Sequence, residues 1–405
     1  MKKRAVVTGM GILTALGAGL EANLTGITQG RSAISKITSF DVSGYRVTSG
    51  GEVRSALVCD LIPDMKAARR YDRATKLLLT AASEAIKRSG LTGNTLPEDT
   101  PIFAGTTLGG MIGGTAFHRA LVTGRRAGPS LVLDYLSHTQ AARLRDALGL
   151  AGAIRTVSNA CASGANAIGF AFREILSNEA NCVIAAGYDT MSEFTYAGFN
   201  SLQALSPTVC RPFDKDRDGL ALGEGAAVLI IEELERARSR GARVIAEITG
   251  YGESSDSFHI TRPDPSGAGA AAAMDMAIDC TGTSPTQIDY INAHGTGTPP
   301  NDMMEAAAIR SVFGPYGERV PTSSTKPMTG HLLGGAGAVE AVFTIMAINS
   351  GALPPNLNYS RRDPECDLNV VDKPGQRADI KFALSNSFGF GGANAALVFK
   401  KWAGQ

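Results

Sequence analysis

Among the residues of this chain able to do covalent chemistry, Cys161 has the most telling surroundings. An extended run, residues 154–158, meets small residues, and an alanine-rich pattern with apolar positions at helical spacing comes next, so the expected local structure is strand, sharp turn, helix. A thiol at such a turn faces unpaired backbone N–H groups and the positive end of the helix dipole, which favour the thiolate and so its nucleophilicity. Ala160, Ala162, Ser163 and Gly164 would let a bulky electrophile approach the sulfur. The competing use of the residue is that of a buried structural cysteine.

Two of the five histidines lie in unusual company. His294 sits in Asn292-Ala293-His294-Gly295-Thr296-Gly297-Thr298, directly after an expected strand, and His331 in Lys326-Pro327-Met328-Thr329-Gly330-His331, just before an expected helix. Gly- and Thr-rich turns at strand ends are where α/β proteins place ligands. One imidazole can activate a thiol; a second can help hydrogen-bond an oxygen that becomes negative, as an enolate requires. Lys326 and Glu305 could hold the charge balance of such a site, or could be a surface pair. The segment Asn386-Ser387-Phe388-Gly389-Phe390-Gly391-Gly392 gives neither GxGxxG nor a Walker pattern, and its alternating Phe and Gly point to a mobile aromatic flap. No CxxC or HExxH spacing occurs, so no metal site is expected.

The elements that would position these residues alternate between strands and helices. Residues 5–8 read as a short strand running into the turn Gly9-Met10-Gly11, with helix up to Leu24; residues 64–90 carry a long helical pattern whose first turns hold Lys66, Arg69 and Arg70. Cys182-Val183-Ile184-Ala185-Ala186-Gly187 and Ala226-Ala227-Val228-Leu229-Ile230-Ile231 are apolar without alternation, as expected of strands covered on both faces. From Arg243 the pattern begins again, and Thr249-Gly250-Tyr251-Gly252 repeats Thr8-Gly9-Met10-Gly11. Two similar α/β halves are therefore expected, 1–242 with the cysteine and 243–405 with Lys326 and both histidines.

Composition narrows the setting. Across 405 residues, 39 basic and 38 acidic side chains nearly cancel, which argues against a general nucleic-acid or membrane-surface binder. The six scattered cysteines indicate no disulfide framework, and the basic N-terminus leads into no signal-peptide pattern, so a cytoplasmic protein is expected.

Together, the motifs around Cys161, His294, Lys326–His331 and Asn386–Gly392 resemble the β-ketoacyl-[acyl carrier protein] synthases, closest to the class II elongating enzymes. The resemblance spans the chain. It implies the thiolase-like fold, two duplicated α/β halves in a five-layered α-β-α-β-α arrangement, in a homodimer. It implies decarboxylative condensation of malonyl carrier protein with a Cys-bound acyl group, extending the chain by two carbons and needing no cofactor beyond the carrier's phosphopantetheine arm. Cys161 then matches the nucleophile, His294 and His331 the decarboxylation pair, Lys326 the supporting lysine and Glu305 the acid paired with it. Thr296 and Thr298 match the residues that bind the arm, Phe390 the gate, and the N–H groups of Cys161 and Phe390 the oxyanion hole. Leu108, Phe199 and Phe388 fall where the family meets substrate, and Lys66, Arg69 and Arg70 where an acidic carrier protein docks. Class III synthases and thiolases pair their cysteine with His/Asn or His/Cys, unlike this chain.

One segment departs from the fatty-acid enzymes: Ser206-Pro207-Thr208-Val209-Cys210 is short and lacks a basic residue usual there. Ketosynthases of type II polyketide or aryl polyene pathways share every catalytic motif named, which keeps that alternative open, with a companion subunit in a heterodimer. A non-catalytic chain-length-factor-like subunit typically lacks the nucleophile, which is present here.

Overall fold

The computed structural model of the protein describes residues 3–57, 61 and 70–404. Its strands, in chain order, are β1 (Ala5–Thr14), β2 (Gly17–Ala18), β3 (Ser35–Lys36), β4 (Ser49–Gly50), β5 (Ile102–Gly105), β6 (Ile154–Val157), β7 (Cys182–Asp189) and β8 (Gly225–Glu233), then β9 (Ala246–Ser255), β10 (Tyr290–Asn292), β11 (Pro321–Ser323), β12 (Asn369–Val370), β13 (Phe382–Gly389) and β14 (Ala393–Lys401).

Among the described residues, twelve of these strands form one sheet whose path runs β12-β11-β10-β13-β14-β9-β1-β8-β7-β5-β6, with β2 paired to β1. Outward from the β1/β9 seam, each half repeats one arrangement: β1-β8-β7-β5-β6 in one, β9-β14-β13-β10-β11 in the other. In both, the first two pairings are antiparallel and the next two parallel. The halves meet through an antiparallel register of Ala5 with Ile248. Strand order, direction and seam thus repeat together, which a four-residue sequence match alone could not establish.

The repeated Thr-Gly-x-Gly is not a turn. Both copies lie inside long strands, with β1 continuing to Thr14 and β9 to Ser255. The glycines are needed because a helix lies across each strand: a Cβ on Gly9 or Gly11 would stand 2.2 or 1.9 Å from the carbonyl oxygens of Ala85 and Ala81, and on Gly250 or Gly252 1.9 or 2.1 Å from those of Ala277 and Ala273. The register also slips at Thr8 and at Thr249, a bulge at the same place in each half. Close packing explains a signal that reads locally as a strand breaker.

Those helices, Arg73–Ser89 and Ala268–Thr281, cover the outer faces of the half-sheets. The helix expected over residues 64–90 begins only at Arg73, because Asp72 is in extended backbone and its side chain accepts from the N–H of Ala74 at 3.2 Å, capping the first turn, so Arg70 lies outside this helix. Lys66 and Arg69 lie outside the described residues; Arg70 is exposed. Between the half-sheets lie two more helices, Ser163–Leu176 and Ala336–Ser350, each touching strands of both halves. The order is helix, sheet, helix, sheet, helix. On β8, Ala227, Leu229 and Ile231 face the inner helices while Ala226, Val228 and Ile230 face the outer ones, so the strand is apolar throughout. The stretch Leu333–Ser350 is long and apolar enough to cross a membrane, but 89% of that window is buried at the centre of the fold.

Candidate active site

The two inner helices bring the chemistry together because they begin against each other: a Cβ on Gly337 would lie 2.5 Å from the Ala165 N. Before the first helix, Ala160 adopts a left-handed φ of 56°, which turns the chain sharply after β6. Ser163 Oγ holds that turn, donating to the Ala160 carbonyl at 2.6 Å and accepting from Asn159 N–H at 3.0 Å. Cys161 is left at the helix start, buried, with Sγ 3.0 Å from His331 Nε2. The His294 ring stands 5.2 Å from that of His331, nearly perpendicular to it, and 5.8 Å from Phe388.

Lys326, 1% exposed, fixes the tautomer of His294. Its Nζ lies 3.3 Å from His294 Nδ1 and also donates to the His294 carbonyl oxygen. An ammonium has only donors, so Nδ1 must accept and the ring proton sits on Nε2. The acid that pairs with Lys326 is Glu340, at 2.5 Å, and not Glu305 as the resemblance implied. Glu340 projects from the central helix onto the lysine, whereas Glu305 accepts from the N–H groups of His294 at 2.8 Å and Gly295 at 2.7 Å and from Asn386 Nδ2 at 3.1 Å. Glu305 therefore holds the backbone turn that carries His294; burial pushes its carboxyl up to about 7.

Burial dominates the remaining electrostatics. It pushes the Cys161 thiol up to about 12, against the pull of the Lys326 charge and of a hydrogen bond from the Phe390 N–H. The helix start therefore does not leave a free thiolate at rest, because the enclosed sulfur has lost its water; His331 Nε2 is its hydrogen-bonding neighbour. Burial, then the Lys326 charge, hold both histidines well below the ordinary imidazole value, so both are neutral.

Asp189, at the end of β7, belongs to none of the sequence motifs. It is fully buried and accepts from Thr106 Oγ1 at 2.6 Å and from the N–H groups of Thr107 and Leu108 at 2.9 Å and Gly334 at 2.7 Å. It thereby ties the turn behind Cys161 to the turn after His331. The signal available for both Asp189 and Glu340 was a carboxylate inside an otherwise apolar run.

Comparison with known proteins bears on this arrangement. The β-ketoacyl synthase N-terminal domain matches residues 2–237 and its C-terminal domain residues 245–360. The chain belongs to the β-ketoacyl synthase family. It is 40% identical over 409 residues to 3-oxoacyl-[acyl-carrier-protein] synthase 2 of Staphylococcus aureus (strain COL), covering 99% of each chain. A β-ketoacyl synthase from Burkholderia phymatum STM815 superposes with a TM-score of 0.92 at 33% identity over 99% of this chain and 100% of that one. The ishigamide ketosynthase/chain length factor does so with a TM-score of 0.91 at 34% identity, covering 100% of both. The fold is the thiolase-like fold of these ketosynthases.

In this synthase a cavity of about 380 Å³ leads from solvent to Cys161, His294 and His331. Thr296 and Thr298 line it, their hydroxyls 2.8 Å apart, held by Asp302, which accepts from the N–H groups of Thr296 and Gly297. Phe390, 39% exposed at the tip of the β13–β14 turn, stacks on Phe199 with ring centres 5.7 Å apart, and both line the cavity with Phe388. Leu108 lies behind this wall, in an apolar cluster with Met191, Tyr196 and Leu333 against which Phe199 packs. Among the described residues, no three His, Cys, Asp or Glu side chains are grouped to hold a metal.

Proposed function

We propose that this chain is an elongating β-ketoacyl-acyl carrier protein synthase, an acyltransferase that condenses malonyl carrier protein with an acyl group held on Cys161. The observation that carries the reading is the meeting of Cys161 Sγ, His331 Nε2 and the Lys326-oriented His294 at the floor of one cavity. As Cys161 attacks an acyl thioester, its thiol proton ends on the departing carrier thiol, while His331 keeps its own proton on Nε2 and donates it to the sulfur as negative charge develops there. The N–H groups of Cys161 and Phe390 bind the tetrahedral oxyanion; one such donor is typically worth about a hundredfold in rate.

Once the sulfur is acylated, the two imidazoles, each with its proton on Nε2, donate to the thioester oxygen of malonyl carrier protein. Loss of CO₂ leaves an enolate on that oxygen, and its carbon attacks the acyl carbonyl. The new C–C bond gives a β-ketoacyl thioester, and Cys161 leaves as thiolate and takes up a proton from solvent. The neutrality of both histidines suits this step, since each gives a hydrogen bond without surrendering its proton. No cofactor is needed beyond the phosphopantetheine arm.

Thr296 and Thr298 grip the arm, Phe390 gates the cavity with Phe199 and Phe388, and Leu108 bounds the acyl pocket. Lys66, Arg69 and Arg70 dock the acidic carrier protein. The halves 1–242 and 243–405 are the two copies of a duplicated unit, and the protein works in the cytoplasm. It acts as a homodimer: among the described residues β6 is the last strand at one end of the sheet, and the helices Met111–Val122 and Ser130–Tyr135 expose Leu121, Val122 and Leu133.

A polyketide-type role with a companion subunit is the second reading, favoured by the likeness to the ishigamide ketosynthase/chain length factor and by the segment Ser206–Cys210, which is short and lacks the basic residue usual there in the fatty-acid enzymes. Intact-protein mass spectrometry with a panel of acyl carrier protein thioesters, then with malonyl carrier protein, tests the proposal. Acylation at Cys161 and release of a product two carbons longer are expected. A folded protein that accepts no straight-chain donor overturns the fatty-acid reading.

A further inference from the structure

The walls of the active-site cavity carry three charged side chains besides the buried machinery: Asp218, Asp256 and Arg262. Both carboxylates are engaged by the protein. Asp218 accepts from Ser206 Oγ at 2.6 Å and Thr208 Oγ1 at 2.7 Å, and Asp256 from Asn394 Nδ2 at 2.6 Å and the Asp264 N–H at 3.1 Å. Arg262 is exposed, so it marks the rim, and its guanidinium has no hydrogen bond, ion pair or ring contact among the described residues.

The position of Arg262 is nonetheless fixed. Its loop is fastened to the gate by two backbone hydrogen bonds, Gly391 N–H to Ile260 O at 2.7 Å and Asp256 N–H to Gly392 O at 2.9 Å, and Pro263 restricts residue 262 to extended backbone. A cation with five donors, held at the rim of a tunnel and left without a protein partner among the described residues, suits a planar or tetrahedral oxyanion that arrives from outside.

We propose that Arg262 is a positioning residue that binds the phosphodiester of the phosphopantetheine arm when the thioester is at Cys161. The inference rests on the synthase reading of the site. It comes from the direction of the arm: the thioester end enters first and the hydroxyl- and amide-bearing middle passes Thr296 and Thr298. The anionic phosphodiester is the one group left at the rim, where two carboxylates would otherwise repel it.

The test uses the full-length enzyme and three malonyl thioesters: on carrier protein, on free phosphopantetheine, and on pantetheine, which lacks the phosphate. Arg262→Ala is expected to raise KM for both phosphate-bearing substrates about five- to tenfold while leaving kcat and the KM for malonyl-pantetheine unchanged, and Arg262→Lys to restore most of the loss. The advantage of phosphopantetheine over pantetheine should also shrink with added salt in the wild type and not in the variant.

An equal KM change for malonyl-pantetheine would mean a structural role. A change with carrier protein alone would mean that Arg262 meets the carrier's own acidic surface. Either result, or no change with any substrate, overturns the assignment. A wild-type enzyme that elongates none of the three substrates would instead strike at the synthase reading itself.

Discussion

At the strand ends of the first half, the buried carboxylate of Asp189 collects four donors and fixes the turn behind Cys161; at those of the second half, Glu305 collects three and fixes the turn that carries His294. The strands have the same order and directions in both halves, and each half places its reactive residues just beyond the ends of its parallel strands. The halves differ in the segment after the outer strand. After β6 the chain turns through Ala160 to Cys161, the proposed nucleophile; after β11 it turns to Lys326, whose Nζ lies 3.3 Å from His294 Nδ1 and sets its tautomer. One scaffold thus occurs twice, and under the proposed mechanism the halves divide acyl transfer from decarboxylation, with His331 in contact with both Cys161 and His294.

That division can be broken from either side. The largest expected effect is that of Cys161→Ala, which should cut elongation more than a thousandfold in a radiolabelled chain-extension assay; substantial condensation by this variant would sink the assignment of the nucleophile. Next is Lys326→Met, which removes the one hydrogen-bonded partner of the buried Glu340 carboxylate among the described residues. A loss of about 3–5 kcal/mol in urea unfolding is expected, because an uncompensated charge is then enclosed. A change under about 1 kcal/mol would mean that the pair is solvated.

The structural likeness of the halves gives a smaller, paired effect. Gly11→Ala and Gly252→Ala should each cost about 1–3 kcal/mol, and by similar amounts, since both put a methyl against a helix carbonyl oxygen. Strongly unequal losses would show that the two outer helices are not held alike. The smallest expected effect is an absence: with both histidines pushed well below the ordinary value by burial and then by the Lys326 charge, they stay neutral and should add no inflection from about pH 6 to 8 to malonyl decarboxylation by Glu305→Gln, the variant without the carboxyl that burial pushes up to about 7. An inflection near the ordinary imidazole value of about 6.5 would contradict their burial.

Much of this is legible in the sequence, for reasons that differ by residue. The uninterrupted apolar runs of β7 and β8 announce strands covered on both faces, and the Gly/Thr turns around His294 and His331 announce strand-end sites. The Thr-Gly-x-Gly repeat reads as a turn and is not one, because a glycine that admits a neighbouring helix and one that turns the chain look alike until the helix is in place. The resemblance pairs Glu305 with Lys326, since a lysine in a site needs an acid; only packing shows that Glu340, on the central helix, reaches it first. The expected thiolate fails for a related reason: local sequence shows the helix start that favours it and not the depth of burial that opposes it.

The central claim is that one half performs acylation and the other decarboxylation, and it is tested most directly by assaying both partial reactions on Cys161→Ala and His294→Ala. The account predicts a cross: Cys161→Ala releases CO₂ from malonyl carrier protein but takes up no acyl group by intact mass, while His294→Ala is acylated at Cys161 and releases CO₂ at least about a hundredfold more slowly. Loss of both reactions in both folded variants would contradict it.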